Sequence, residues 1–433
     1  MERDLTKICA YALERLRFYG ADDADCIVSR SHVDEMNVDA GEFSLLRSIY
    51  NASISMRAIK DQRKGVISIN KTDEISIDEA AKQCVANAAA ADEDDCLSIA
   101  PVLGNADFTF GLEEPDRDRF FDRIREYLDD VHALYPKVLI EQLIADFGVW
   151  TACFGNTNGV RFTKRGGYYS LSSMYSAHDG DKATSFNSVG MDFVSLDRKL
   201  IELGDQKQMY ELCQRELEAA PYNGKFTGIA VFAPSCLDDI VDTAIHSFTG
   251  GSAILDGTSP WKDKLGQQVA SEKLTFRLIP IDERIVGGER FTSEGYPTEN
   301  CTVIENGVLR CFTLSEYTAR KTGNKRCSTL SGCSEVVAGP RSVDEIIAGI
   351  ERGLLVCRVS GGEPAGNGDF SAVAKNSFLI ENGRVTRPVT ETMISGNLAD
   401  MLMHITDISR ETVCDGSGVA PYVAFDGVTV SGS

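Results

Sequence analysis

The sequence predicts an α+β protein made of two strand-rich domains with peripheral helices. Runs in which apolar and polar residues alternate between turn residues outnumber the segments with helical spacing. A chain of 433 residues is also longer than one hydrophobic core usually serves. The turn-forming stretch at 221–224, Pro-Tyr-Asn-Gly, is the best candidate boundary. We therefore expect an N-terminal domain over residues 1–220 and a C-terminal domain over residues 221–433.

The N-terminal half begins with a helix and an antiparallel meander. Apolar residues at helical spacing predict a first helix from Leu5 to Tyr19, and strand-like runs follow from about residue 26 to residue 69. The spacing Ser76-x-x-Glu79 is that of a capping box, which would begin a second helix over about 77–91. A third amphipathic helix is predicted over 116–135, where Pro136 stops it.

The remaining elements are mostly strands. Asn158-Gly159 separates two long strand-like runs and predicts a type I′ hairpin. Helices are predicted over about 206–220 and 237–248, with a strand at 228–233 between them, and Ser342 with Glu345 forms a second capping box. The sequence Ile-Glu-Asn-Gly occurs at both 304–307 and 380–383, each time between strand-like runs, which indicates two similar hairpins.

Charge and cysteine content exclude several classes of protein. The formal net charge is −21, which disfavours nucleic-acid backbones and anionic membranes as direct partners. The first residues lack the basic and apolar regions of a signal peptide, and no apolar run approaches membrane-spanning length. Thirteen cysteines, an odd number without a C-x-x-C pair, are typical of reduced thiols. We expect a cytoplasmic protein.

Common catalytic signatures are absent from the sequence. It contains no Walker-type phosphate loop, no G-x-S-x-G nucleophile elbow and no dinucleotide-binding G-x-G-x-x-G motif. Its five histidines include no H-E-x-x-H-like pair on a helix. The residues alone therefore indicate no familiar catalytic centre.

Short motifs in the C-terminal half nevertheless follow one another in a characteristic order. They are Glu294-Gly295-x-Pro297-Thr298, Asn306-Gly307-Val308-Leu309, Thr318-Ala319-Arg320, Gly368-Asp369-Phe370-Ser371, Ile394-Ser395-Gly396-Asn397 and Ala420-Pro421. In this order and at these separations they resemble the TldD/PmbA family, whose members have also been proposed to modulate DNA gyrase. The N-terminal helix, meander and Ala-rich helix fit the same family, so the resemblance covers essentially the whole chain and implies a PmbA/TldD-like fold.

The resemblance also implies which type of member this is. TldD-like members carry H-E-x3-H on a helix early in the C-terminal domain and a late cysteine, and they bind zinc as metallopeptidases. At the matching positions this chain has Asp242, Thr243 and Ser247, while Cys414 resembles the late cysteine. Catalytic zinc needs three protein ligands, and threonine cannot replace the carboxylate base. The chain therefore resembles the PmbA/TldE-like type, for which we expect no metal, no cofactor and no catalytic residue.

The function implied by this resemblance is that of a partner subunit. A PmbA/TldE-like chain would complete a TldD-type metallopeptidase that acts on unfolded or precursor peptides, with zinc only in the TldD-like partner. We expect a dimer with that partner or with itself, in which the glycine-rich segment 361–370 is a candidate for a loop across the interface. Two alternatives remain: a regulatory protein-binding module of the gyrase-modulator type, and a self-sufficient hydrolase using Cys327, Cys333 or Ser371.

Five residues are candidates for a substrate cavity: Glu294, Asp369, Phe370, Asn397 and Cys414. Glycines beside them would permit close approach of a peptide backbone, and Asp369 or Asn397 could bond its amides. The functional hypothesis is that they converge beside the helix around Asp242. The alternative is that these glycines form turns and that Asp369 stabilises one of them.

Overall fold

The computed structural model describes residues 4–362 and 364–432, and its strands form two main sheets. The strands of the first half are β1 (Asp23–Asp39), β2 (Glu42–Lys60), β3 (Arg63–Ile69), β4 (Asn105–Gly111), β5 (Val138–Asn156), β6 (Arg161–Asp179), β7 (Lys182–Ala183) and β8 (Asn187–Phe193). The first sheet has the order β3-β2-β1-β5-β6-β4, and β7 and β8 also pair with β6. The predicted meander is confirmed as the antiparallel run β1-β2-β3.

Four helices accompany this sheet: α1 (Leu5–Phe18), α2 (Glu74–Ala89), α3 (Arg117–Leu134) and α4 (Gln206–Glu216). The apolar faces of α1 and α2 pack with β1 and β2 in one cluster, which includes Leu16, Cys26, Met56 and Cys84. All four helices lie close to their predicted positions, although α4 ends four residues before Ala220. Mixed strands and peripheral helices confirm the α+β class.

The predicted cap of α2 was wrong. Asp73 precedes the helix, and its carboxylate accepts a hydrogen bond from the backbone N–H of Ser76 at 3.0 Å. Ser76 is therefore inside the first turn rather than before it. The Ser76-x-x-Glu79 spacing could not reveal this, because Asp73 is an equally good capping residue three positions earlier.

The hairpin at Asn158-Gly159 is present, but its turn type differs from the prediction. A type I′ turn requires positive φ at both central residues. Gly159 has φ of 87°, whereas Asn158 is not among the residues with positive φ. The N–H of Gly159 instead donates to the carbonyl of Asn156 at 3.1 Å. The N–H of Asn156 donates to the carbonyl of Val160. The side chain of Asn156 accepts from Asn158 N–H and Val160 N–H, which stabilises this longer loop.

The second half contributes the other main sheet. Its strands are β9 (Ala220–Pro221), β10 (Lys225–Phe232), β11 (Phe276–Leu278), β12 (Cys301–Glu305), β13 (Val308–Leu309), β14 (Ser334–Val336), β15 (Arg352–Ser360), β16 (Asp369–Glu381), β17 (Arg384–Thr390), β18 (Thr392–Asn397), β19 (Ile405–Cys414) and β20 (Val419–Ser431). Their order is β13-β12-β11-β14-β20-β10-β15-β16-β17-β9, with β19 beside β20. Strand β18 pairs with both β16 and β20, so β20, β10, β15, β16 and β18 form a closed circuit. Closure pairs edges that would otherwise be exposed.

The two Ile-Glu-Asn-Gly sequences form the same turn. Asn306 and Gly307 have φ of 48° and 78°, and Asn382 and Gly383 have φ of 51° and 76°. Positive φ at both residues is the condition for a type I′ turn. The turns join β12 to β13 and β16 to β17. The predicted pair of similar hairpins is confirmed.

The helices of the second half are short. They are α5 (Pro234–Leu237), α6 (Thr243–Thr249), α7 (Gly251–Leu255), α8 (Glu316–Thr322), α9 (Val343–Ala348) and α10 (Leu398–Met403). A π-helical turn, Asp238–Asp242, joins α5 to α6. The predicted helix over 237–248 therefore contains a π-helical turn, whereas the sequence predicted a uniform α-helix. The capping box of Ser342 and Glu345 is confirmed at the start of α9.

The two halves share a hydrophobic core. Tyr127 and Tyr210 of the first half lie in one buried cluster with Phe378 and Tyr422 of the second. The first main sheet ends with Phe193 and the second begins with β9 (Ala220–Pro221), so a division between residues 220 and 221 would pass through β9. In the described ranges, no helix is long and apolar enough to cross a bilayer.

Replacing Asp73 by alanine tests the revised cap of α2. We expect Asp73→Ala to lower the free energy of unfolding by about 1 kcal/mol, because it removes the acceptor for Ser76 N–H. Ser76→Ala, the matched control, should change it by less than about 0.5 kcal/mol, since its hydroxyl is not the cap. Urea unfolding followed by circular dichroism measures both. A larger loss of unfolding free energy for Ser76→Ala than for Asp73→Ala would identify Ser76 as the cap of α2.

Candidate functional site

The turn between β19 and β20 contacts the first sheet through its backbone. The N–H of Asp192 in β8 donates to the carbonyl of Asp415 at 2.7 Å, and the N–H of Val286 donates to that of Gly416 at 2.8 Å. Gly416 has φ of 89°, and a Cβ there would lie 2.2 Å from the carbonyl oxygen of Asp192. Only glycine allows both this conformation and this approach.

A cavity of ≈ 240 Å³ lies beside that turn, between the two halves. Its walls come from β6 and β8, from the segment before α4, from the start of α5 with the π turn, and from β19 and β20. Representative lining residues are Ser172, Met191, Asp205, Ser235, Asp238 and Asp415. A concave site at the junction of two halves is a common position for a ligand.

Carboxylates dominate the electrostatics of this cavity. Asp238 is solvent-accessible at its wall, yet the surrounding protein and the charges of Asp415 and Asp239 raise its pKa to about 6. Burial, together with Asp238 and Asp415, raises the pKa of Asp242 to about 7. Burial also raises the pKa of Asp205, with a further contribution from Asp415. The cavity therefore has a negative potential that weakens as the pH falls.

Asp242, Thr243 and Ser247, the positions that the sequence resemblance aligned with zinc ligands and a base, lie at and after the π turn. The carboxylate of Asp242 accepts a hydrogen bond from the hydroxyl of Ser334. The hydroxyl of Thr243 donates to the carbonyl of Asp238 at 3.1 Å, and Ser247 is exposed. Only Asp242 offers a good metal-binding atom, and it already has a partner. A π turn inserts a residue relative to an α-helix, so side-chain directions here differ from a uniform helical register.

Cys414, the counterpart of the late cysteine, is exposed at the end of β19. Its thiol lies 3.6 Å from the carbonyl oxygen of Arg284, and partial burial raises its pKa. One carboxylate and one thiol fall short of the three protein ligands that catalytic zinc needs. The residues at this position therefore do not fit a catalytic zinc ion.

Glu294 lies at a different contact between the halves. Its carboxylate accepts a hydrogen bond from the backbone N–H of Glu316, the first residue of α8, at 2.8 Å. Its charge also acts on the buried ion pair of Asp25 and Arg57 in the first sheet. The next residue, Gly295, packs so closely that a Cβ would meet the ring of Phe154 at 2.1 Å. Glu294 thus has structural partners on both sides.

Asp369 and Asn397 form a third group with a local structural role. The amide nitrogen of Asn397 donates to Asp369 at 2.9 Å, and its oxygen accepts from the N–H groups of Ala399 and Asp400. Asn397 is therefore the N-cap of α10. Hydrogen bonds from Asn397 and Asn367 lower the pKa of Asp369. Phe370, only 6% exposed, packs in the C-terminal core.

Among the described residues, no hydrogen bond or ion pair joins Glu294, the Asp369–Asn397 pair and Cys414 to one another. None of these residues, nor Phe370, lines the cavity between the halves. Cys414 is the one flanked by cavity residues, Val413 and Asp415. Their convergence on one substrate cavity stays a prediction.

The three candidate nucleophiles lie in different surroundings. Cys327 is 3% exposed, and hydrogen bonds from the thiols of Cys301 and Cys311 lower its pKa. Burial raises the pKa of Cys333, which disfavours the reactive thiolate. Ser371 lies exposed on β16, opposite Ser395 of β18. A substrate carbonyl could not reach Cys327 without movement of the core.

Sequence reasoning missed Asp205, Asp238 and Asp415 as cavity residues. Asp415 follows Cys414 directly, and Asp238 lies four residues before Asp242, so both were adjacent to chosen positions. Asp205 comes from a separate segment of the chain, and nothing in its local sequence indicates that it faces the other two.

Comparisons with known proteins agree with this fold. Residues 227–432 match the PmbA/TldA metallopeptidase C-terminal domain, and residues 24–91 match PmbA/TldA metallopeptidase domain 1. Together these matches cover well over half of the described residues. The chain belongs to the PmbA/TldD metallopeptidase family.

A curated relative matches this chain over part of its length, whereas two solved structures match almost all of it. Metalloprotease PmbA of Escherichia coli O157:H7 is 29% identical over 205 residues, 46% of this chain and 45% of that protein. The chain thus spans about half the length of that relative. TldE from Thermococcus kodakarensis has a TM-score of 0.83 at 20% identity, covering 98% of this chain and 100% of that one. A proposed modulator of DNA gyrase from Bacteroides thetaiotaomicron VPI-5482 has a TM-score of 0.85 at 22% identity, covering 99% of both chains. These two structures share the fold.

Gly416 offers a test of the contact between the halves. Gly416→Ala should lower the free energy of unfolding by more than about 2 kcal/mol, because the added methyl group overlaps the Asp192 carbonyl and φ is unfavourable. Gly427→Ala is the matched control: Gly427 has φ of 81°, but a Cβ added there would have no neighbouring atom within 4 Å. Equal losses in chemical unfolding would show that the Asp192 contact contributes nothing.

The raised pKa of Asp242 should make the stability of the folded protein depend on pH. Its pKa in the folded protein, about 7, exceeds the value of about 4 for an unfolded chain, so the folded state binds more protons between these values. Its contribution to stability therefore decreases as the pH rises from about 4 to about 7. Asp242→Asn should stabilise the protein at pH 8 and have less effect at pH 5, as measured by thermal unfolding.

Asp282 supplies a control of opposite sign. Hydrogen bonds from Arg284 lower the pKa of Asp282 to about 2, so its ionised form stabilises the folded state at neutral pH. Asp282→Asn should therefore destabilise the protein at pH 8. Destabilisation by Asp242→Asn at pH 8 would contradict the raised pKa of Asp242 in the folded protein.

Proposed function

We propose that this chain is a PmbA/TldE-like subunit of a TldD-type metallopeptidase system that acts on unfolded or precursor peptides. The observation that carries the proposal is the set of side chains at Asp242, Thr243, Ser247 and Cys414. It supplies one engaged carboxylate and one thiol, which do not fit a catalytic zinc ion. Hydrolysis then depends on a TldD-like partner that brings the zinc and the general base.

The chain's own part would be to shape the space in which a peptide binds. The cavity between the halves lies beside the π turn and next to Cys414, the region where TldD-like members have their metal site. Asp205, Asp238 and Asp415 would favour peptides with basic side chains through their negative potential. An extended peptide could also bind through backbone hydrogen bonds, which suits unfolded substrates of varied sequence.

The lack of a complete zinc site also supports dimerisation. A subunit without a complete zinc site cannot hydrolyse peptides by this chemistry, so we expect it to dimerise with a TldD-like chain or with itself. The segment 361–370 is a candidate for a contact across that interface; residue 363 lies outside the described residues. After residue 363, hydrogen bonds of Asp369 with Asn367 and Asn397 stabilise the segment.

Regulation of DNA gyrase is the alternative that one solved relative's name suggests. The net charge of −21 disfavours direct contact with DNA, so such a role would depend on binding gyrase protein. No feature of the cavity favours this role over peptide binding. A self-sufficient hydrolase is less well supported, because burial of Cys327 and the raised pKa of Cys333 oppose nucleophilic attack.

A reconstitution assay tests the proposal. The purified chain alone should not hydrolyse an unfolded reporter peptide, whereas a mixture with a zinc-loaded TldD-like protein should hydrolyse it at least tenfold faster than that protein alone. Asp238→Lys should lower the activity of the mixture, because it reverses a charge at the cavity wall. Asp256→Lys makes the same change at an exposed position outside the cavity and should leave the activity unchanged. Light scattering measures whether this chain and the TldD-like protein form a complex.

The proposal fails on either of two results. One is hydrolysis by the chain alone that requires zinc and is lost in Cys414→Ser. The other is a mixture with no complex and no gain in activity for any TldD-like protein from the same genome.

A further inference from the structure

Three cysteine side chains in the second half meet at one point, away from Asp242 and Cys414. The sulfur atoms of Cys301 and Cys311 are 3.3 Å apart, and those of Cys301 and Cys327 are 3.7 Å apart. All three sulfur atoms lie within 4.8 Å of one another. Neither the sequence motifs nor the proposed function accounts for this cluster.

Separate elements hold the three thiols in place. Cys301 begins β12, and the type I′ turn at Asn306-Gly307 returns the chain so that Cys311 lies beside it. Cys327 comes after α8, and its N–H donates to the carbonyl of Leu314 at 2.9 Å. The cluster is therefore built from one segment of 27 residues whose hairpin and following loop are both anchored by backbone hydrogen bonds.

The geometry is that of a thiolate metal site. Zinc binds cysteine sulfur at about 2.3 Å, which places the sulfur atoms of a tetrahedral site about 3.8 Å apart. The Cys301–Cys327 distance of 3.7 Å matches that value, the Cys301–Cys311 distance of 3.3 Å is shorter, and all three sulfur atoms lie within 4.8 Å of one another. Cys327 is 3% exposed and packs in the core, whereas Cys301 and Cys311 are half-buried, which leaves a route for an ion and a fourth ligand.

We propose that Cys301, Cys311 and Cys327 bind one thiophilic d10 cation, Zn²⁺ or Cu⁺, with three thiolates. Thiolates select these ions over hard cations such as Mg²⁺. Three protein sulfurs suit a trigonal Cu⁺ site directly, and a Zn²⁺ site would take water or an external ligand as its fourth donor. This site departs from the expectation that the chain holds no metal, but it leaves the lack of a zinc site at Asp242 and Cys414 unchanged.

Oxidation is the competing use of the same atoms. A disulfide between Cys301 and Cys311 would consume two sulfurs and leave Cys327 without a role. Metal binding uses all three sulfur atoms, which lie within 4.8 Å of one another. The cluster therefore favours the metal.

Metal titration of the full chain tests the site. Protein purified anaerobically with a reductant and stripped with a chelator should bind about one Cd²⁺ per chain, with the ultraviolet charge-transfer absorption of metal thiolates. Cys301→Ser, Cys311→Ser and Cys327→Ser should each lower the affinity at least tenfold. Cys333→Ser and Cys414→Ser are matched controls that should bind as the unchanged protein does. Parallel titrations with Zn²⁺ and Cu⁺, each against a competing chelator, identify the preferred ion.

A second measurement does not depend on variants that fold poorly. In the unchanged protein, bound Zn²⁺ or Cu⁺ should slow alkylation of Cys301 and Cys311 at least tenfold, as followed by peptide mass spectrometry, and leave the exposed Cys414 unaffected. Equal alkylation with and without metal would overturn the proposal. So would Cd²⁺ binding that survives all three substitutions but is lost in Cys414→Ser, or a Cys301–Cys311 disulfide in protein kept under reductant. The first and third of these results concern only the thiol cluster, whereas the proposed function is tested by reconstituted peptidase activity.

Discussion

The close contact between the β19–β20 turn and strand β8 determines the shape of the candidate site. Asp192 and Asp415 are joined through their backbones, and Gly416 lies against the Asp192 carbonyl in a conformation that favours glycine. This contact sets the distance between the first sheet and the second half. The cavity occupies the space beside it, and Asp415 is placed where its charge acts on Asp238 and Asp242.

The π turn gives this region its second unusual feature. It lies between α5 and α6 and includes Asp242, one of the positions that the sequence resemblance aligned with zinc ligands. Here it directs Asp242 toward Ser334 and Asp238 toward the cavity wall. Buried like charges are costly, so the carboxyl groups retain protons to a higher pH than exposed aspartates do. π turns occur often at functional sites, which fits the position of this one at the wall of the cavity.

Local sequence predicted most elements but not their finest details. The helices α1, α3 and α9 and the two Asn-Gly hairpins of the second half follow from apolar spacing, caps and turn residues that act over a few positions. The cap of α2 and the turn at Asn158-Gly159 were mistaken where two local solutions compete. Asp73 and Ser76 can each cap a helix, and Asn156 stabilises a longer loop than the Asn-Gly pair predicts.

The sequence by itself determined the α+β class and the family, because both depend on residue types at short or ordered spacings. Only the tertiary structure decided which side chains meet. Asn397 caps α10 and bonds Asp369, and Glu294 bonds α8, whereas Asp205, Asp238 and Asp415 surround the cavity. Cys301, Cys311 and Cys327 likewise meet through a hairpin and a later loop. Such contacts join segments far apart in the chain, and their geometry depends on how the strands pair, which no local pattern records.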